Sequence, residues 1–124
     1  MPVLTIYGVP PTVAQEDLEV LINYLQTQVS DLLGLPFYEV SVFFPANLVN
    51  RWLGEELVCM VDGLFEKPER TIEARFAVAK VIVRGLVALT IGRIPQCKKV
   101  EAIVRRFNQN VDGFDACALG PQKT

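Results

Sequence analysis

No histidine occurs anywhere in the 124 residues. Ser-His-Asp and Cys-His nucleophilic sites are therefore excluded, as is any metal site built on imidazole. Cysteine is sparse. Cys59, Cys97 and Cys117 are odd in number and form no CxxC pair, so they read as reduced packing thiols in a cytosolic setting. The 8 glycines are scattered, with no GxGxxG or GxxxxGK loop to cradle a phosphate. No signal peptide is read at the start, where Pro2–Pro11 lacks a basic lead and a small-residue cleavage site. The most apolar stretch, FAVAKVIVRGLVALTIG, is interrupted by Lys80 and Arg84, so no membrane span is expected. No basic stripe is interleaved with aromatics, which argues against a nucleic-acid partner. No cofactor and no metal are implied.

What is present is apolar residue, at 51% of the chain. That is generous for a single domain of this length and predicts that other subunits cover part of it. Charge is uneven. Residues 1–62 carry one base against eight acids, and residues 63–124 carry eleven bases against six acids. Most of these charges read as solvated helix faces. The sharper reading is that some arginines hold a small anion.

Val3–Val9 is β-rich and stops at Pro10-Pro11. Thr12 stands three residues before Gln15, a capping-box pattern, and Leu18, Leu21, Ile22, Leu25, Val29 and Leu32 follow at helical spacing. Gly34 and Pro36 end that helix. Strand two is expected over Tyr38–Phe44. Val40, Val42 and Phe44 alternate there with Ser41 and Phe43. The LVCMV run, Leu57–Val61, fits a strand buried on both faces. A second helix is expected from about Pro68 to Ile91, stopped by Gly92. Strand four follows over Val100–Phe107, and then an irregular tail. The order is β-α-β twice, about 2–45 and 56–108, within one domain spanning 1–124. This predicts an α+β fold, a four-stranded mixed sheet with both helices on one face. The other face, with Phe43 and Ile103, then needs another subunit.

This architecture with proline at position two resembles the tautomerase superfamily, which includes 4-oxalocrotonate tautomerase, macrophage migration inhibitory factor and 5-carboxymethyl-2-hydroxymuconate isomerase. The local likenesses are MPVLTIYGVP, FYEVSVFFPANL and VEAIVRRFNQNV. The resemblance implies a cofactor-independent tautomerase or isomerase acting on a small keto or enol acid, assembled as a homotrimer. It implies that Pro2, freed at the amino terminus, is the general base. The family's arginine after strand one matches Thr12, and its strand-two arginine matches Ser41. Its aromatic wall matches Trp52, with Arg51 beside it. The usual cations are thus replaced. On strand four, Glu101, Ile103 and Arg105 take the face opposite the helices. Arg105 is therefore the favoured substrate-binding cation and Arg51 the second choice, with Arg106 kept behind them as a substrate-binding candidate that points inward by parity at a strand end from which it could snorkel. Two alternatives stand beside this reading: a non-catalytic ligand- or partner-binding trimer of the same fold, and a dimeric ferredoxin-like regulatory module.

Overall fold

A computed structural model describes residues 1–46 and 53–119. The elements run β1 (Val3–Tyr7), α1 (Gln15–Leu33), a 3-10 turn (Phe37–Glu39), β2 (Ser41–Phe43), β3 (Glu56–Asp62), α2 (Ile72–Thr90) and β4 (Lys99–Val104). The sheet order is β2-β1-β3-β4. β1 pairs parallel with β2, β3 pairs parallel with β4, and the two pairs join antiparallel between β1 and β3. The expected mixed sheet is thus present, each parallel pair closed by its own helix.

Strand alternation decides which side chains meet the helices. Leu4 and Ile6 of β1 and Leu57, Cys59 and Val61 of β3 are fully or almost fully buried. They pack with Leu21, Leu25 and Val29 of α1 and Val78, Ile82 and Leu86 of α2. Val100, Ala102 and Val104 of β4 pack on the same core, which bears out the parity read along that strand. On the open face the register lines up Phe43, Thr5, Met60 and Ile103. Phe43 is 55% exposed and Ile103 44%. The LVCMV strand is therefore buried on one face only within the chain, with Val58 and Met60 left half-buried. Among the described residues, no helix is long and apolar enough to cross a membrane.

Several boundaries differ from the sequence reading, each for a local reason. The α1 N-cap is Ala14, with no side-chain cap. The Val13 N–H turns back to the Pro10 carbonyl instead, so the Thr12 capping box does not form. β2 is shorter than expected because Phe37–Glu39 coil into a 3-10 turn closed by Val40 N–H to Phe37 O. α2 begins at Ile72 and not near Pro68. Thr71 is the cap, its side chain accepting from the Ala74 N–H at 3.1 Å. Pro68 sits instead in a turn closed by Arg70 N–H to Lys67 O.

Candidate functional site

β1 begins at Val3, so Pro2 lies at its head, without an N–H to leave unpaired. Pro2 is fully buried. Its carbonyl accepts from the Ser41 N–H at 3.1 Å, which ties it to the first residue of β2. Met1, by contrast, projects into a cleft of about 630 Å³. Its amine donates to the Gly63 carbonyl at 3.4 Å. Gly63 has φ 75°, and a Cβ there would stand 2.5 Å from the Met1 carbonyl oxygen. Only glycine allows that close passage.

The cleft is built where the parallel strands β3 and β4 end side by side. Asp62 closes β3 and lines it, as do Arg105 and Arg106 just past β4. Arg105 Nε meets Asp62 Oδ1 at 3.3 Å, both side chains about half exposed. Arg106 Nε meets Glu66 Oε2 at 2.6 Å, and Asn108 Nδ2 reaches Glu66 Oε1 at 3.3 Å. The floor is aromatic. Phe65 and Phe107 form an isolated parallel bridge with ring centroids 5.3 Å apart. Phe114 stands edge-on to Phe65 at 4.9 Å.

Burial first, and then the charge of Arg70, hold the Met1 amine below its ordinary value; Glu39 opposes this and Lys67 adds to it. Burial, helped by the Asp62 charge, pushes the Cys59 thiol up to about 12. Cys59 is therefore a packing residue and no nucleophile at neutral pH.

The structure brings Pro2, Ser41, Arg105 and Arg106 to one end of the sheet. Ser41 touches Pro2 through its backbone and does not line the cleft. Arg106 does not point inward. β4 ends at Val104, so strand parity no longer governs a residue two positions on, and the side chain lies exposed beside Glu66. Arg51 and Trp52 lie outside the described residues. Sequence reasoning passed over Phe65 and Phe114. A usable signal existed for the first: β3 and β4 run parallel, and each carries a phenylalanine three residues past its last strand residue.

With a four-stranded mixed sheet, two helices on one face and a cleft at the head of β1, the fold is that of the tautomerase superfamily. Solved structures similar to the chain include Pt0534 inactivated by 2-oxo-3-pentynoate, 19% identical at TM-score 0.68, with 90% of this chain and 91% of that one covered. A fused 4-OT symmetric trimer is 15% identical at TM-score 0.65, covering 97% and 96%. Macrophage migration inhibitory factor of Toxoplasma gondii is 13% identical at TM-score 0.57, covering 86% and 88%. What these proteins share with this chain is the fold. No protein-family model matches the sequence, and no curated protein matches it.

Proposed function

We propose that the protein is a cofactor-independent tautomerase or isomerase of small keto or enol acids, working as a homotrimer with Pro2 as its amino-terminal base. The observation that carries this is the placement of Met1 in a cleft beside Asp62, Arg105 and Arg106. Removal of Met1 converts the Pro2 nitrogen from an amide into a secondary amine at the cleft wall. Burial and the nearby Arg70 and Lys67 charges already depress the Met1 amine. Pro2 is more deeply buried than Met1, so its amine stays neutral at lower pH than an exposed one. A neutral amine takes a proton α to the substrate carbonyl, and the conjugate acid returns it at the other end of the enolate.

Arg105 is the donor for the substrate carboxylate or for the developing enolate oxygen. Its pairing with Asp62 does not prevent this. Exposed pairs of this kind are worth about 0–1 kcal/mol, so a substrate carboxylate exchanges for Asp62 at little cost. Phe65, Phe107 and Phe114 supply the apolar wall.

A non-catalytic binding trimer of the same fold is the second reading, favoured by one observation: Arg105 and Arg106 are each engaged by a carboxylate within the chain. One experiment separates the two. Intact protein is incubated with 2-oxo-3-pentynoate and weighed by mass spectrometry, beside turnover assays with phenylpyruvate and 2-hydroxymuconate-type enols. Addition of one whole reagent at Pro2, with loss of turnover, is expected, because an amine adding across a triple bond expels nothing. Protein that retains Met1 and still turns over substrate would rule out Pro2 as base. Protein that lacks Met1, binds the acids and converts none supports the second reading.

A further inference from the structure

The solvent side of the helix layer carries a groove that shares no residue with the cleft. It runs between the first half of α1 and the second half of α2 and encloses about 310 Å³, inside the range of roughly 300–1,000 Å³ usual for small-molecule sites. Buried Leu21 and Leu89 and the Tyr24 ring make its floor, and exposed Val20 and Ala88 its rim. The ring lies against Gly85, and its hydroxyl donates to the Val81 carbonyl. The floor is therefore set before any ligand arrives, which lowers the cost of binding one.

The charges of the groove do not balance. Its lining holds two cations, Arg84 and Arg93, and one acid, Asp17. Arg93 Nε meets Asp17 Oδ1 at 2.9 Å, so those two neutralise each other. Arg84 is exposed and, among the described residues, has no carboxylate partner. Lys80, one turn back, shares a separate outer hollow with Arg84 and does not line this one. One uncompensated positive charge thus stands over an apolar floor. A guanidinium's planar fork matches a carboxylate. A phosphomonoester, at about −1.5 to −2, overmatches a single charge. A partner helix, about 10–12 Å across, is too broad for a hollow of 310 Å³. We infer that the groove binds a monocarboxylic acid with an apolar tail, of the medium-chain fatty acid class, its carboxylate on Arg84 and its tail over Tyr24. The site stands whether or not the cleft is catalytic.

The test is calorimetric titration of the intact protein with octanoate, below its micelle concentration, beside octanol as the uncharged probe of the same length. One saturable octanoate site per chain is expected, with octanol about tenfold weaker, and the Tyr24 ring resonances should shift as either fills it. Arg84→Gln should weaken octanoate about tenfold, the effect of one lost charge-assisted hydrogen bond, and leave octanol unchanged. Ala88→Trp, a change at an exposed position, should fill the groove and remove both. Arg105→Ala is the control for the cleft and should leave octanoate affinity as it was. Heat that does not saturate, or equal octanoate affinity in Arg84→Gln, would overturn the site. Binding lost in Arg105→Ala and kept in Ala88→Trp would put the acid in the cleft and overturn it too. A lower light-scattering mass for Ala88→Trp would make the groove a contact between copies of the chain, with the same consequence.

Discussion

Arg105 and Cys59 stand on opposite sides of one question: which polar groups near the cleft are available for chemistry. Arg105→Ala should lower kcat about 10²–10³-fold if it stabilises the enolate while leaving the melting temperature almost unmoved, because its pair with Asp62 is half exposed. Steady-state kinetics beside a thermal melt checks both halves. Unchanged turnover would reduce Arg105 to a surface ion pair. Cys59 should resist thiol reagents at neutral pH in folded protein, whereas exposed Cys117 reacts. Its thiol ionises near 9.0 when unfolded and near 12 when folded. The folded state thus binds the proton more tightly, and stability should fall as pH rises from about 9 towards 12. Urea titrations at pH 8 and pH 10.5 measure that slope, and Cys59→Ser should flatten it. Arg105's place was legible because strand parity held up to Val104 and the residue after it. Arg106 was not legible, since its direction depends on Glu66, which a turn 40 residues earlier presents.

Elements were legible wherever one periodic pattern ran unopposed. α1 ends at Gly34 as read, with φ 67° and its N–H closing on the Ser30 carbonyl. β3 differs from the expectation by one residue at each end. The helix errors fall at starts, where several polar residues compete to cap, whereas β4 ends three residues early, at Val104 and not at Phe107. Thr71 won over Pro68 because its hydroxyl meets a free helix N–H, and Thr12 lost because a proline turn intervened. One element-scale contact had no sequence signal at all. Gly85 of α2 lies against the Tyr24 ring of α1, and a Cβ there would stand 2.8 Å from it. The ring is anchored by the Tyr24 hydroxyl, which donates to the Val81 carbonyl at 3.4 Å. Gly85→Ala should therefore destabilise by ~1–3 kcal/mol through overpacking, despite alanine's higher helix propensity. Urea denaturation checks it, and a neutral or stabilising result would mean the helices separate freely.

At the scale of the whole molecule, the proposed trimer puts its subunit contact on the open sheet face. Phe43, Met60 and Ile103 fall in one row across it, an apolar band that a lone chain leaves in water. Met60→Lys should convert the proposed trimer to monomer without disturbing the helix-facing core, and light scattering at micromolar concentration reads the change. An unaltered trimer would place the subunit contact elsewhere. The central position of β1 has a further effect, one of timing. Its partners Ser41 and Asp62 pair with Val3, so 38 and 59 residues must be made before either neighbour exists. At ribosomal speeds of about 5–20 residues per second, the second of these takes roughly 3–12 s. Any enzyme that trims the first residue works on an open chain during that interval. Once β3 arrives, Pro2 is buried at the head of a finished strand while Met1 stays 59% exposed, so any later trimming has to reach the Met1–Pro2 bond at the cleft wall.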